Sequence, residues 1–337
     1  MKDCAPAWLL ALTVLAFFAF ACGVAGAVQN LERPVLTPQE FPRIDGSTST
    51  EPLRALIACR LTRTDFAWGA GPEYSRFLFP TTDPYEPAKR LSLKADGKLQ
   101  RLKNVHGELL AKIEHHDTHQ SYLNLMGRQT QLVLVARKPS EDELVLAQRK
   151  GVRIQTVPVA LDAFVFIRNK KNPVANITVE QIRAIYTGKL TIWTAMGGPD
   201  KPIRPYRREK NSGSEETMEK LVMGGQTIVQ ARHIEAMIRM TGPYNALRDD
   251  ELGIGYTFYY YHGYMIRMPE VKMLAVNGVE PTGATVRNRT YPFVTEVYLA
   301  HLSDLVPDGA AARVRDWLVS EDGQAVVAES GYAPVKK

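Results

Sequence analysis

Residues 132–167 read LVLVARKPSEDELVLAQRKGVRIQTVPVALDAFVFI, and this stretch decides the fold class. Leu132-Val133-Leu134-Val135 is a short apolar run of the kind that forms a buried strand. Ser140, with Glu143 three residues on, has the form of a capping box, and Gly151 closes the helix it opens. Residues 152–157 then read as one strand and residues 159–167 as a longer one. Further along, Thr178 and Gln181 cap a helix whose apolar positions Ile182, Ile185 and Tyr186 precede Gly188. Residues 253–260 are strand-like, and residues 310–319 form a helix with Val314, Trp317 and Leu318 on one face. Strands alternating with amphipathic helices predict an α/β protein with a mostly parallel sheet. There is no internal repeat and no low-complexity tract. Residues 65–100, rich in Pro and Gly, read as an irregular insertion.

The chain has 337 residues, 42 Lys+Arg against 36 Asp+Glu, and a formal net charge of +6. With 45% hydrophobic and 23% charged residues it is too apolar for disorder, and its length suits two domains or two lobes. The positive balance is not clustered. Arg168-Asn169-Lys170-Lys171 reads as solvated surface, and nucleic acid is not an expected partner. At the N-terminus, Lys2 precedes an apolar run over residues 7–21 and then Ala25-Gly26-Ala27. That is the pattern of a secretory signal over residues 1–27, cleaved after Ala27. Two alternatives also export the chain. The uncharged stretch over residues 4–30 is long enough for an uncleaved anchor, and Cys22 offers a lipid attachment point despite a poor lipobox in Ala19-Phe20-Ala21. Three cysteines build no disulfide framework, and Cys59 lies in an apolar helical stretch that reads as core.

The chemistry concentrates in two hydroxyl-rich helix starts. The first is Asp45-Gly46-Ser47-Thr48-Ser49-Thr50-Glu51-Pro52, where Pro52 marks a first helical turn. The second is Arg207-Arg208-Glu209-Lys210-Asn211-Ser212-Gly213-Ser214, which runs into a helix over residues 215–223. A helix start offers free N–H groups and a partial positive charge, hydroxyls add neutral donors, and Arg208 adds a planar fork suited to an oxyanion. Thr48 with Glu51, and Ser212 with Glu215, also fit ordinary capping boxes, so each motif alone reads equally as a cap.

In order along the chain, Asp-Gly-Ser-Thr-Ser-Thr-x-Pro-Leu (45–53), Asn-Pro-Val (172–174), Ile-Tyr-Thr-Gly-Lys-Leu-Thr-Ile-Trp (185–193), Gly-Gly (197–198), Arg-x-x-x-Ser-Gly-Ser (208–214), Gly-Ile-Gly-Tyr (253–256), Tyr-Pro-Phe (291–293), Glu-Asp-Gly-Gln (321–324) and Gly-Tyr-x-Pro (331–334) resemble the phosphate-binding proteins of ABC transporters. The resemblance runs from residue 43 to 336 with a gap over 62–115, and Arg-x-x-x-Ser-Gly-Ser is its most specific block. It implies a two-lobe type II periplasmic-binding-protein fold, with a ligand cleft between the lobes and a two-stranded hinge. Lobe one would cover residues 28–157 and 265–337, and lobe two residues 158–264. It implies phosphate contacts at Ser49, Thr50, Arg208, Ser212, Gly213 and Ser214, and by a weaker match at Thr118. It further implies a non-catalytic, periplasmic or extracellular monomer that needs no cofactor or metal and serves a membrane ABC permease. Many relatives carry an aspartate after the strand equivalent to residues 132–135, where it accepts the proton of hydrogen phosphate. Here the segment reads Val135-Ala136-Arg137-Lys138, so sulfate, molybdate or tungstate stand as alternative ligands.

A rival from another class starts from His115-His116-Asp117-Thr118-His119. On a helix, His115 and His119 would share a face at a zinc-ligand spacing, as in a secreted metal-dependent hydrolase. No His-Glu-x-x-His, no third ligand at metal spacing and no Gly-x-Ser-x-Gly supports it. Gly69-Ala70-Gly71 runs into Pro72 and makes no nucleotide loop, and Trp193 with Tyr186 reads as packing.

Overall fold

The structure is a computed structural model that describes residues 32–70, 76–80, 108–210, 212–229, 232–233, 240–266 and 268–335. The expected signal segment over residues 1–27, with Cys22, lies outside the described residues.

The chain starts with β1 (Ile44–Gly46), a single 3-10 turn (Thr48–Thr50) and α1 (Glu51–Thr62). β2 (Phe66–Ala70) and β3 (Arg76–Pro80) pair antiparallel inside the segment expected to be irregular. Then come α2 (Thr118–Met126), β4 (Leu132–Val135), α3 (Glu141–Arg149) and β5 (Ile154–Asn169). β6 (Asn176–Ile177), α4 (Val179–Tyr186) and β7 (Arg204–Arg207) lead to α5 (Gly213–Thr217), which continues as a π turn (Met218–Val222). β8 (Arg232–His233), α6 (Gly242–Asp249), β9 (Gly253–Phe258), β10 (Val271–Met273), β11 (Ala275–Val276) and α7 (Gly283–Arg287) follow. β12 (Val294–Leu302), α8 (Ala310–Leu318), α9 (Glu321–Ser330) and β13 (Ala333–Pro334) end the chain. The capping boxes read at Ser140 and Thr178 both form with their two reciprocal bonds.

Strand order runs β1-β4-β12-β5-β9-β7-β8. The sheet is mixed rather than mostly parallel. β1–β4, β7–β9 and β7–β8 are parallel, but β12 runs antiparallel to β4 and β5, and β5 runs antiparallel to β9. The reason is topological: β5 and β12 sit at the centre and run in opposite directions, so each reverses the sense of its neighbours. β5 is one strand of 16 residues where two were expected. Pro158 has no N–H for the ladder, and β12 shifts register opposite it, between Val297 and Tyr298. β5 pairs with β12 over residues 154–163 and with β9 over residues 164–168, so it changes partner between Ala163 and Phe164.

Aromatic side chains fill the interior where that change occurs. Phe164 packs on Tyr256 with ring centroids 5.2 Å apart, Phe258 at 5.5 Å, and Tyr186 lies 5.8 Å from Tyr256. Such pairs add about 0.5–1.5 kcal/mol each beyond the area they bury. Trp193 and Tyr186 are fully buried and hydrogen-bonded to main-chain carbonyls of Leu252 and Tyr206, in keeping with a packing role. Cys59 is buried in α1, and burial pushes its thiol up to about 12, which leaves it unreactive. Among the described residues, no helix is long and apolar enough to cross a membrane.

Candidate anion-binding site

The first helix start is built around a buried cation. A Cβ at Gly46 would lie 2.1 Å from the Leu134 carbonyl oxygen and 2.5 Å from Arg54 Nη1, so only glycine lets β1 turn there. Ser47 N then donates to Leu134 O at 3.1 Å, and Thr50 Oγ1 donates to Leu134 O at 2.7 Å. Arg54 is fully buried one turn into α1, where Nη1 donates to Ser47 O at 2.9 Å and to Thr50 Oγ1 at 2.6 Å. Burial pulls its guanidinium down to about 10, still charged at neutral pH. Tyr332 OH braces the same turn by donating to Ser49 O at 2.9 Å. The box read in Thr48 and Glu51 does not form, because the cap positions Ser47 and Thr50 make no side-chain cap bond.

The second helix start presents its cation directly. β7 delivers two arginines to opposite fates. Arg208 is 4% exposed and sits on Glu209, with Nε donating at 2.9 Å and Nη2 at 2.8 Å. Arg207 turns to Glu215 and, at 3.5 Å, to Glu219. Ser212 does cap α5, accepting from Glu215 N at 3.1 Å. The return half of that box is missing, since the Glu215 carboxylate goes instead to Arg207, Arg208 N and Tyr256 OH.

A third element closes the space. Asp117 caps α2 by accepting from Gln120 N at 2.8 Å, which sets Thr118 at the first helical position. A Cβ at Gly213 would lie 2.8 Å from Thr118 Oγ1, so α2 and α5 approach as closely as the missing side chain permits.

Six of the seven expected residues, Ser49, Thr118, Arg208, Ser212, Gly213 and Ser214, line one cavity of ≈ 220 Å³. Thr50 is not among them, because its hydroxyl is spent on Ser47 O, Leu134 O and Arg54 inside the turn. Ser47, Thr48, Asp117, Ala136, Glu209, Met240 and Phe258 complete the lining. Ala136 is a neutral wall. Arg137 points away from it into a buried pair with Glu143, at 2.8 Å for both contacts, so its charge does not enter the cavity. The cavity carboxylates come from elsewhere, Asp117 and Glu209. One arginine, hydroxyls from two helix starts and two acceptor-only carboxylates suit a small oxyanion that carries a proton. The volume is below the roughly 300 Å³ at which sites for drug-sized molecules begin.

The histidines do not converge. His115 faces Glu51 at 3.3 Å, His116 bonds Asp45 at 2.9 Å and His119 bonds Glu143 at 2.9 Å. Among the described residues, the group of three potential metal ligands is Asp45, Glu114 and His116, which includes neither His115 nor His119. Asp45 there already accepts from Gly46 N and Asn124 Nδ2. The metal-hydrolase reading therefore fails: three histidines close in sequence pair with three separate carboxylates.

Sequence reasoning missed Arg54, Glu209 and Tyr256 as parts of the site. Arg54 had a signal, a lone charge between Leu53 and Ala55-Leu56-Ile57 in an apolar helix. Glu209 and Tyr256 had none beyond lying inside motifs already noted.

The sequence model of the PBP superfamily domain matches residues 106–322. The phosphate-binding protein PstS of Borreliella burgdorferi is 26% identical over 185 residues, which is 52% of this chain and 64% of that protein. PstS of Bacillus subtilis is 27% identical over 163 residues, 48% of this chain and 51% of that protein. The chain thus spans less than two thirds of the length of these relatives. Among solved structures, a candidate phosphate ABC transporter substrate-binding protein with bound phosphate from Clostridium perfringens superposes with a TM-score of 0.60 at 22% identity, covering 87% of this chain and 98% of that one. That likeness makes the architecture the two-lobe type II periplasmic-binding fold, and with the match over residues 106–322 the chain belongs to the PBP superfamily.

Proposed function

We propose that this protein is an extracytoplasmic solute-binding protein that captures inorganic phosphate between two lobes and hands it to an ABC permease, with no covalent chemistry of its own. The observation that carries the reading is convergence. Arg208, Ser212, Gly213 and Ser214 meet Ser49 and Thr118, from elements on the other side of β5, around one cavity. The relatives named as phosphate-binding proteins support phosphate as the ligand. Asp117 and Glu209 take over the acceptor role that Ala136 cannot fill, and an acceptor-only carboxylate favours hydrogen phosphate over fully ionised sulfate. Thr50 acts one step back, holding the turn that presents Ser49.

The lobe boundaries belong to the same proposal. Lobe one gives way to lobe two where β5 changes partner, at Ala163–Phe164, somewhat beyond the residue 157/158 division expected from sequence. The pairing of β10 with β5 and of β11 with β6 keeps residues 271–276 with lobe two, and β12 carries the chain back. The protein works as a monomer, exported by residues 1–27 or tethered through Cys22.

Isothermal titration of protein stripped of ligand, with phosphate and sulfate in parallel, tests the reading. Saturable one-to-one phosphate binding, with sulfate much weaker, is expected. Equal affinity for sulfate or molybdate would move the ligand to the wider oxyanion class, and no binding of either would overturn the proposal.

A further inference from the structure

Resting on the phosphate reading, we propose that Tyr256 and Glu215 are positioning residues for Arg208: they hold its main-chain amide so that its guanidinium enters the cavity. Arg208 is the first residue past β7, where the ladder has run out. β7 meets β9 only at Arg204 and Pro205, and meets β8 at Tyr206 and Arg207. Among the described residues the Arg208 N–H has no strand partner, and a buried N–H costs about 1–3 kcal/mol unless something accepts from it. Two side chains do. Arg208 N donates to Glu215 Oε2 at 3.1 Å and to Tyr256 OH at 3.0 Å, and the Tyr256 hydroxyl itself donates to Glu215. Tyr256 and Glu215 are 1% and 0% exposed, so these bonds are not traded for water.

Glu215 reaches this position by leaving the one its sequence predicts. In a capping box the acid three residues into the helix returns to the amide of its own cap. Here the amide of Ser212 donates to Glu209 O at 3.2 Å, and Glu215 is diverted to the end of β7. Its second oxygen pairs with Arg207, which partly offsets the burial that raises this carboxyl above its usual range. The acid thus ties the first residue of the turn, Arg208, to the helix that presents Ser212, Gly213 and Ser214. The fork and the hydroxyls are then held in one geometry, as a preorganised site requires.

The test compares two buried tyrosines. Tyr256→Phe removes the hydroxyl that serves Arg208 N, while Tyr186→Phe removes an equally buried hydroxyl whose donation goes to Tyr206 O at 3.0 Å. Titration with inorganic phosphate is expected to show about tenfold weaker binding for Tyr256→Phe, one hydrogen bond at ~1.4 kcal/mol per factor of ten. Tyr186→Phe should keep its affinity within about twofold of wild type while its melting temperature falls about as far as that of Tyr256→Phe, since its hydroxyl serves stability only. Glu215→Gln should weaken binding in the same direction as Tyr256→Phe. In an Arg208→Lys background, Tyr256→Phe should lose less than about threefold, because an ammonium on a flexible stem has no fork to aim. Equal losses in the two tyrosine variants, or an undiminished tenfold loss beside Arg208→Lys, would reduce Tyr256 to a structural residue and overturn the proposal. Normal affinity in Tyr256→Phe and Glu215→Gln, with wild type binding phosphate, would overturn it alone. Wild type failing to bind phosphate would overturn it together with the function it rests on.

Discussion

The two helix starts that face the cavity solve the same problem in opposite ways. At residues 45–52 the cation, Arg54, lies behind the turn, fully buried and spent on Ser47 O and Thr50 Oγ1, and the turn faces the cavity with hydroxyls. At residues 207–214 the cation, Arg208, lies in front, within the cavity, and a carboxylate, Glu215, lies behind. The first start is scaffold with a polar face, and the second is scaffold plus a charged hand. Both began as sequences that read as capping boxes, and neither completes one. A cap motif departs from mere capping where its acidic member is drawn elsewhere, here Glu51 toward His115 and Glu215 toward Arg208 N.

If that contrast holds, removing each cation should fail differently. The largest effect is expected from Arg208→Ala, which deletes two charge-assisted bonds of roughly 1.5–3 kcal/mol each and so at least a hundredfold of phosphate affinity. Titration measures it, and circular dichroism should show the fold unchanged. Arg54→Met should do the reverse. Melting should show a loss of about 2 kcal/mol as the turn loses its buried donors. Phosphate affinity should fall by less than about tenfold, because Arg54 touches no ligand. Comparable affinity losses in the two variants would erase the distinction between front and back.

A smaller effect probes how closely the two starts meet. Gly213→Ala places a methyl 2.8 Å from Thr118 Oγ1. Overpacking of that kind costs about 1–3 kcal/mol, and here it should appear as roughly tenfold weaker phosphate binding rather than as lost stability. Thr118→Ser in the same background keeps the hydroxyl but is free to rotate it, and should recover part of the loss.

The smallest effect separates these paired charges from an unpaired one. Asp162, beside the point where β5 changes partner, accepts from Ala163 N and Tyr260 N through Oδ1, while its buried Oδ2 has no hydrogen-bond partner among the described residues. Burial pushes its carboxyl up to about 7 from an ordinary value of 3.8. The native state therefore holds a proton that the unfolded chain releases, and stability present at acidic pH is lost as pH rises through about 7. Denaturant melts should show a loss of about 1 kcal/mol between pH 6 and 8, absent in Asp162→Asn. A flat wild-type profile would contradict this.

Much of this was legible in the chain itself, and the misses have physical causes. The strands over 132–135 and 253–258, the helix over 310–318 and the caps at Ser140 and Thr178 follow from local pattern, which the fold respects. The mixed sheet was not legible, because strand direction depends on which segments cross between lobes. The two strands read over 152–157 and 159–167 are one, because the register shift in β12 accommodates Pro158 between them. In the site, Arg208 and Ser212 announced themselves by type and spacing. Thr50 did not betray that Leu134 O would claim its hydroxyl, a partner 84 positions away. The cavity's carboxylates, Glu209 and Asp117, come from other elements than Ala136, which no single segment can reveal.

The central claim is that one anion is held jointly by the two starts, and closure of the lobes measures it most directly. Small-angle scattering of the ligand-stripped protein, with and without saturating phosphate, should give a smaller radius of gyration when phosphate is present, because contacts to both lobes stabilise only the closed state. An unchanged radius at saturation would contradict the account.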